Sequence, residues 1–492
     1  MLRSRPYLAG WILTFVAAAV LYILTLAPDV VWQDQGDYQY QVALCNLSRP
    51  GDLVRVHPLY ILTAHFLGRS GLFSYAYAAN LVNAIATCIS IANVYLIAAF
   101  LTRRIWPAFL AAATYAMAHS VWFLGTQAQT YGMAMAAMSG AIILLLEYIQ
   151  SGGRWRLFLM GLLFGVGMSV HLMSQVAFAV IIFWLVGRCM RRKESLAVLA
   201  GVITFWILGA AALWAAAAIE YRHNGSIIAT IQSGLVGRWG EEVFNLGRLP
   251  VLIKKSILFF VLNFPTPLVF LAVGGIVLSF KGLGKTAGWL LLVMTICYLL
   301  FAVRYDVPNQ NNFFLPMYMF VSVYIGLGFA FIFTRRIIMW AVVTVILLAA
   351  IPPTYVAIAQ YARTHNSELG TRRHIPYRDT YTYYIVPWQQ CQTGPRRFAS
   401  EMMEKLPSNA IVMADSTTIP PLLYVHEIEC ARPDIKIFGL GEPKEEILAF
   451  TKSGIKLFTI SDVKSCYPSW VEPTQLRPFK LSETEHIFEV IQ

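Results

Sequence analysis

The stretch VWQDQGDYQYQVALCNLSRPGDLVRVHPLYIL, residues 31–62, directly follows an apolar N-terminal segment. It contains two carboxylates three residues apart, Asp34 and Asp37, and a His-Pro pair at His57 and Pro58. A carboxylate held at a membrane face can accept a proton from a hydroxyl nucleophile. The same acidic residues also fit solvated loop positions or helix N-caps, because Asp-x-Gly-Asp can open a helix. From the spacing alone, both interpretations stay open.

The composition predicts that lipid is the solvent for most of the chain. Of its 492 residues, 58% are hydrophobic and only 13% are charged, which is more apolar surface than a soluble protein of this length can bury. The net charge of +12 is not a signature of nucleic-acid binding here, because the basic residues lie mainly in short gaps between apolar runs. We therefore expect an integral membrane protein that contacts membrane lipids and binds no nucleic acid.

Apolar runs predict about eleven membrane-spanning helices. They are 8–27, 74–101, 107–124, 131–150, 157–170, 174–187, 195–219, 256–280, 286–303, 312–333 and 337–357. Every second gap is basic: Arg103–Arg104, Arg154 with Arg156, Arg188 with Arg191 to Lys193, Lys281 with Lys285, and Arg335–Arg336. By the positive-inside rule these gaps and the N-terminus are cytoplasmic. Only two short helices within 157–187, joined near His171, keep this alternation intact.

The polar region after the last run predicts an external soluble domain. Its segments indicate, in order, a buried strand, a second buried strand, a helix and another strand: NAIVMADSTTIPPLLYV (409–425), IKIFGL (435–440), PKEEILAFTKSG (443–454) and KLFTISD (456–462). Strands alternating with a helix predict a small α/β domain. The expected division is therefore a mainly α transmembrane domain, 1–357, and an extracytoplasmic α/β domain, 358–492.

Four of the seven cysteines fall in external polar stretches: Cys45, Cys391, Cys430 and Cys466. Since the outside of the membrane is oxidising, we expect a disulfide among them. Cys430 with Cys466 is the first choice, because both fall within the predicted folded domain, although the sequence leaves the pairing open.

Six segments follow one another in the order of a known family: APDVVWQDQGDYQYQVAL, HPLYILTAHFLG, YAANLVNAIAT, QAQTYGM, GLLFGVGMSVHLMS and RYDVPNQNNFFLPMYMFVSVYIGLGFA. Over about residues 20–330 the chain thus resembles the transmembrane family related to protein O-mannosyltransferases, within the GT-C glycosyltransferases. In that family the first external loop reads Pro-x-Val-x-x-x-Asp-x-Gly-Glu, and a His-Pro pair follows. The tail segments LPSNAIVMADS and ARPDIKIFG also resemble the family's extracytoplasmic domain.

The resemblance implies roles for the residues that match the family's motifs. Asp34 falls on the family's catalytic base, and Asp37 falls on its Glu, a helper that orients or binds. His57 falls on the His of the His-Pro pair. Tyr131 falls on the Tyr of a Glu-x-Tyr, but Gln129 stands where the acid is usual. Because a Gln can hydrogen-bond a sugar hydroxyl but cannot take a proton, an acid–base or metal role there is in doubt.

Further polar residues are candidates for substrate binding. Asp306 matches another recurrent Asp of the family, and it adjoins Arg304 and Tyr305. His171 lies between two predicted short helices, where a packing role explains it equally well. The expected catalytic residues are thus Asp34 and Asp37. The expected substrate-binding residues are His57, Gln129, Tyr131, His171, Arg304, Tyr305 and Asp306.

The resemblance implies a glycosyltransferase whose donor is a sugar carried on a polyprenyl phosphate. Mannose is one candidate sugar, and the acceptor hydroxyl belongs to a protein Ser or Thr or to a glycan. The implied reaction is one inverting displacement in which the base takes the acceptor proton while the lipid phosphate leaves. That phosphate needs positive charge nearby. The external candidates, of which Arg304 is preferred, are Arg55, Arg238, Arg248, Lys254 and Arg304. No resident cofactor is implied, and a divalent metal is left open.

Two other classes of function stay open. A transporter or flippase of lipid-linked sugars would favour ionisable residues or broken helices at mid-membrane, and a large external tail is hard to explain for it. A non-catalytic scaffold with an external domain would make Asp34 dispensable. For an enzyme, we expect a bacterial inner membrane with the active site facing the periplasm. The endoplasmic reticulum membrane is the alternative.

Overall fold

A computed structural model of the chain separates into two units that are each held together by their own contacts. The model describes residues 5–237, 240, 247–282, 284–307, 309–332, 337–365, 373–442, 444–451 and 454–491. Arg238, a candidate for phosphate binding, and the basic pair Arg335–Arg336 lie outside these ranges. Unit 1 comprises residues 1–24, 47–63 and 82–354, and unit 2 comprises residues 25–46, 64–81 and 355–492. The predicted division into 1–357 and 358–492 stays a prediction, because compactness does not report which residues lie in lipid.

Unit 1 is built from apolar helices. Those that lie in it wholly or in part are Arg5–Leu24, Pro58–Arg69, Tyr75–Thr102, Ile105–Ala116, His119–Gly125, Tyr131–Ser151, Arg154–Val170, Gln175–Met190, Leu196–Gly209, Ala211–Asn224, Ile227–Leu235, Leu249–Asn263, Leu271–Gly282, Lys285–Arg304, Leu315–Ile332, Ile337–Ala349 and Ile351–Thr364. Large apolar side chains stay exposed on these helices, for example Phe183 at 78% and Leu300 at 64%. Such exposure is costly in water and ordinary in lipid.

Seven helices in the described part of the chain are long and apolar enough to cross a membrane, or up to ten if three bent helix pairs each count as one span. These lengths and compositions are those of an integral membrane protein. The bent pairs are Ile105–Ala116 with His119–Gly125 (66°), Leu196–Gly209 with Ala211–Asn224 (64°), and Leu249–Asn263 with Pro267–Lys281 (111°). The one predicted run outside this count is 157–170, which corresponds to the helix Arg154–Val170 of only 17 residues.

Three runs predicted as single helices are therefore broken: 107–124, 195–219 and 256–280. The sharpest break, in the last of them, follows from its sequence FPTP, residues 264–267. Proline lacks the backbone N–H of a helix interior and disfavours helical geometry in the residue before it, so the first helix ends before Pro265.

The predicted junction near His171 is confirmed. The helix Arg154–Val170 ends at His171, whose backbone is extended (φ −161°, ψ 130°), and the next helical stretch begins at Leu172. Glycines let the first of these helices pack closely on Leu196–Gly209. A Cβ on Gly165 would lie 2.1 Å from the carbonyl oxygen of Trp206. Small residues thus let the backbones of these two helices approach each other closely, as is usual between membrane helices.

Unit 2 contains a mixed five-stranded sheet of order β2-β1-β3-β5-β4. The strands are β1 Ile411–Ala414, β2 Lys436–Gly439, β3 Leu457–Thr459, β4 Leu476–Lys480 and β5 His486–Val490. β1 pairs in parallel with β2 and β3, while β5 pairs antiparallel with β3 and β4. The helices of this unit, besides the parts it shares with unit 1, are Gln33–Leu44, Thr380–Ile385, Gly394–Lys405, Ile419–Leu423 and Lys444–Thr451. The predicted small α/β domain is present.

Two details of the predicted domain are wrong. The segment 409–425 is a strand only at β1, and Ile419–Leu423 is helical, since Pro420 and Pro421 cannot donate to a strand ladder but fit a first helical turn. β2 is an edge strand and is half-buried rather than buried. The expected disulfide is also missing: all seven cysteines, Cys430 and Cys466 among them, carry free thiols.

Candidate active site

The helix Gln33–Leu44 carries both acidic residues of the first external loop. Trp32 precedes it in an extended conformation, Asp34 lies in its first turn, and Asp37 follows three residues later. Residues three apart share one face of a helix, so the two carboxylates project on the same side. Neither is an N-cap or a loop residue, which corrects the alternative interpretation. A carboxylate in the first turn is favoured by the helix dipole.

Gly36, between the two carboxylates, sits where no side chain fits. A Cβ at this position would lie 2.2 Å from the carbonyl oxygen of Val31 and 3.0 Å from Cβ of Pro420. The glycine therefore lets the first turn of the helix approach the backbone before it and the helix Ile419–Leu423. This contact sets the position of Asp34 within unit 2.

Gln39 fixes the same helix from its other face. Its side chain is fully buried and makes four hydrogen bonds. Oε1 accepts from the backbone N–H of Val31 at 2.9 Å, while Nε2 donates to the carbonyl oxygens of Asp29 and Ala76 and to Oδ1 of Asn80 at 3.0–3.2 Å. One amide thus joins the loop before the helix to the start of the helix Tyr75–Thr102.

An ionic cluster joins the first loop to the C-terminal domain. The guanidinium of Arg396 donates to both carboxylate oxygens of Asp29, at 2.5 and 2.8 Å, and to both of Glu429, at 2.6 and 2.7 Å. The phenol of Tyr40 donates to the carboxylate of Glu427. The helix that carries Asp34 is therefore an integral part of unit 2.

A second group of predicted residues comes together in unit 1. The rings of His57 and His171 stack with centroids 5.2 Å apart, and the ring of Tyr131 lies 4.8 Å from that of His171. Phe313, which the sequence analysis missed, contacts both Tyr131 and His171 at 6.3 and 6.1 Å, and Tyr305 at 4.5 Å. Four of the predicted binding residues thus share one aromatic cluster.

Hydrogen bonds orient the two imidazoles. Nδ1 of His171 accepts from the backbone N–H of Met173 at 3.1 Å, so in the neutral ring Nε2 carries the proton and can donate. Nδ1 of His57 lies 2.7 Å from the carbonyl oxygen of Val170 and therefore carries the proton. His57 itself adopts a left-handed backbone conformation (φ 51°), an uncommon one for a non-glycine residue.

Burial lowers the pKa of His57 well below its ordinary value of 6.5. The adjacent ring of His171 and the positive charges of Arg49 and Arg55 act in the same direction, against a smaller opposing effect of the hydrogen bond to Val170. His57 is therefore neutral in the folded protein at physiological pH.

Acidification should destabilise unit 1 through His57. Below pH 6.5 the unfolded chain binds a proton at His57 that the folded chain excludes, so the contribution of His57 to the free energy of unfolding is constant above that pH and falls as the pH drops below it. The check is the melting temperature of the protein in detergent between pH 8 and pH 5. His57→Phe should flatten this pH dependence, whereas His223→Gln, which alters an exposed histidine, should retain it. An unchanged slope in His57→Phe would contradict the assignment.

The remaining predicted binding residues, Gln129, Arg304 and Asp306, also lie in unit 1. Gln129 is 2% exposed, and its side-chain Oε1 has no hydrogen-bond partner among the described residues. Asp306 forms an ion pair with Arg248 at 3.0 Å. Arg304 is the last residue of the helix Lys285–Arg304, directly before Tyr305. The convergence of these residues with Asp34 and Asp37 around one cavity stays a prediction.

Within the part of the chain that the structure describes, no group of three or more His, Cys, Asp or Glu side chains could hold a metal ion.

Solved structures provide the decisive comparison. ArnT from Cupriavidus metallidurans, in a crystal structure with bound undecaprenyl phosphate, superposes with a TM-score of 0.57 over 98% of this chain and 98% of its own, at 13% identity. The chain has a GT-C fold. The oligosaccharyltransferase of Archaeoglobus fulgidus has the same fold, also at 13% identity. Its apo form superposes with a TM-score of 0.53 over 93% of this chain and 70% of its own. A form tethered to an acceptor peptide superposes with a TM-score of 0.52 over 93% of this chain and 69% of its own.

The predicted fold class, a mainly α, polytopic GT-C-like fold with a small C-terminal α/β domain, is thereby confirmed. No protein-family model matches the sequence, and no curated protein matches it. At 13% identity the solved structures establish the fold, so substrates and residue roles have to be argued from the chain itself.

Proposed function

We propose that this protein is an integral membrane glycosyltransferase that uses a polyprenyl-phosphate-linked sugar as donor. The observation that carries this proposal is the match to ArnT over 98% of both chains, in a structure that contains undecaprenyl phosphate. The acceptor is a hydroxyl group of a protein or a glycan, and mannose is one candidate sugar. We place the reaction on the extracytoplasmic side of a bacterial inner membrane, in agreement with the alternation of basic gaps.

The proposed reaction is a single displacement at the anomeric carbon. Asp34 takes the proton from the acceptor hydroxyl while that oxygen forms a bond to the anomeric carbon. The bond from this carbon to the phosphate oxygen breaks, and the lipid phosphate leaves with the electron pair. Attack from the face opposite the phosphate inverts the configuration. Asp37, on the same helical face, orients the acceptor or the sugar.

The aromatic cluster of unit 1 fits the binding of a sugar. Nε2–H of His171 is a donor for a sugar oxygen, and the buried Oε1 of Gln129 is an acceptor for a sugar hydroxyl. Aromatic rings such as Tyr131 and Phe313 offer apolar faces to the C–H groups of a sugar. Arg304 and Arg248 are the cations that we assign to the neighbourhood of the leaving phosphate.

The test is transfer by the purified protein in lipid nanodiscs. Polyprenyl-phosphate sugars are supplied with a hydroxyl acceptor, and the product is analysed by mass and by the configuration of the new bond. A product of inverted configuration supports the proposal. A protein that moves the lipid-linked sugar across a vesicle membrane without forming a product would instead be a transporter, and a protein that does neither would be a scaffold.

A further inference from the structure

Arg378 is a buried cation that forms no ion pair with any of the residues that the structure describes. In the sequence, Arg378 comes after the helix Ile351–Thr364. It lies in unit 2, and only 7% of the residue is exposed. The Nε and Nη1 atoms of its guanidinium have no hydrogen-bond partner among the described residues. The neighbouring carboxylate of Asp379 is engaged elsewhere, since it accepts from the N–H of Thr382 at 2.7 Å and pairs with Arg363 at 2.8 Å.

Two tyrosine rings hold this guanidinium in place. Its carbon atom lies 4.9 Å from the ring centroid of Tyr383 and 5.4 Å from that of Tyr384. Cation–π contacts recover only part of the hydration that a buried guanidinium loses. A buried charge without a counter-ion is rare in proteins, so the arrangement favours a ligand that brings the missing negative charge.

The guanidinium lies close to the proposed base. The hydroxyl of Tyr384 accepts from Nε2 of Gln33, at 3.4 Å, and Gln33 immediately precedes Asp34. Burial raises the pKa of Tyr383; the negative charge of Asp34 raises it further, while Arg378 lowers it, so both charges lie within electrostatic reach of that phenol. An inverting displacement needs both a base for the acceptor proton and a cation for the leaving phosphate.

We propose that Arg378 binds the phosphate of the polyprenyl-linked donor. This inference rests on the proposed function and adds a residue of unit 2 to the candidates for binding the phosphate. The planar guanidinium suits phosphate oxygens, and the tyrosine rings pre-organise it. In this role Arg378 is a binding residue, with the proton transfer left to Asp34.

The test compares binding of undecaprenyl phosphate with binding of undecaprenol, which lacks only the phosphate. The full-length protein is placed in phosphatidylcholine nanodiscs, and binding is followed by thermal stabilisation. The wild type should prefer undecaprenyl phosphate. Arg378→Gln should weaken its binding by roughly 10–100-fold, the effect of losing a hydrogen bond between charged groups, and Arg378→Lys should fall between the two. Arg397→Gln is the matched control, since Arg397 is 58% exposed in the same unit; it should bind as the wild type does.

Melting temperatures without ligand separate binding from a structural role. Because Arg378 is buried and has no counter-ion among the described residues, Arg378→Gln should melt at the wild-type temperature or above it. A lower melting temperature would show that the arginine supports the fold and would overturn the proposal.

The remaining outcomes distinguish this inference from the proposed function. If the wild type prefers undecaprenyl phosphate and Arg378→Gln binds it equally well, the inference is wrong and the function stands. If the wild type does not distinguish the two lipids, the proposed donor and this inference both fail. Competition by inorganic phosphate or phosphatidylglycerol as strong as that by undecaprenyl phosphate would identify a general anion site and would overturn the assignment to the donor.

Discussion

Asp34→Asn is expected to lower the rate of sugar transfer by about 10²–10⁴-fold, the usual contribution of a general base. The substitution keeps the size of the side chain and its place in the first turn of the helix Gln33–Leu44, but it removes the capacity to take a proton. Substrate binding should change little, because an amide still forms hydrogen bonds. The loss should therefore appear in kcat rather than in KM.

The measurement is the initial rate of transfer by purified variants at equal concentration. Asp462→Asn serves as the matched control, because Asp462 is an exposed carboxylate of the same unit and should transfer at the wild-type rate. Asp37→Asn should show an intermediate loss, since a positioning residue does not carry the proton. Transfer by Asp34→Asn at the wild-type rate would rule out Asp34 as the base and would indicate that another residue takes the proton.

Periodicity and hydropathy predict much of this fold. The apolar runs place the helices to within a few residues, and the positive-inside rule resolves the segment around His171 into two helices. Breaks within an apolar run are harder to predict from the sequence, because a hydropathy window averages over a break such as that at Ala210. The sequence FPTP could have predicted the break before Pro265, since prolines interrupt helical hydrogen bonding. The paired prolines 420–421 were an equally clear signal against a strand.

The candidate site is only partly accessible from sequence. The spacing of Asp34 and Asp37 indicates a shared helical face, and the resemblance indicates which of the two is the base. Residues such as Phe313 and Arg378 carry no local signal, because their roles arise from contacts made by the folded chain. For Arg378, the signal is that Nε and Nη1 have no hydrogen-bond partner among the described residues, which only a structure can show.

The geometry around Asp34 depends on distant contacts as well. Gly36 is recognisable in the motif Asp-x-Gly-Asp, yet the carbonyl oxygen that makes it necessary belongs to Val31, before the helix begins. Gln39 looks like an ordinary polar helix residue in the sequence. Its partner Asn80 is 41 residues away, which no local pattern relates to it.

Gln39→Leu is expected to destabilise unit 2 by on the order of 2–5 kcal/mol, because each buried polar group left without a partner costs about 1–3 kcal/mol. Leucine fills a similar volume but cannot accept from the N–H of Val31 or donate to Oδ1 of Asn80. The melting temperature should drop by roughly 5 °C or more. Transfer should also weaken, because the helix that positions Asp34 loses its attachment to the loop before it.

Gln35→Leu is the control for Gln39→Leu. It distinguishes the loss of the four hydrogen bonds of Gln39 from the effect on stability of removing any buried amide from this helix. Gln35 lies on the same helix and is 4% exposed, but its Oε1 has no hydrogen-bond partner in the described chain. Replacing it with leucine removes a buried, unsatisfied oxygen, so the melting temperature should stay constant or rise. Hydrogen exchange locates the difference: amides of residues 33–44 should exchange faster in Gln39→Leu and at the wild-type rate in Gln35→Leu. Equal destabilisation by the two substitutions would mean that burial of the amide, rather than its four hydrogen bonds, holds the Asp34 helix in place.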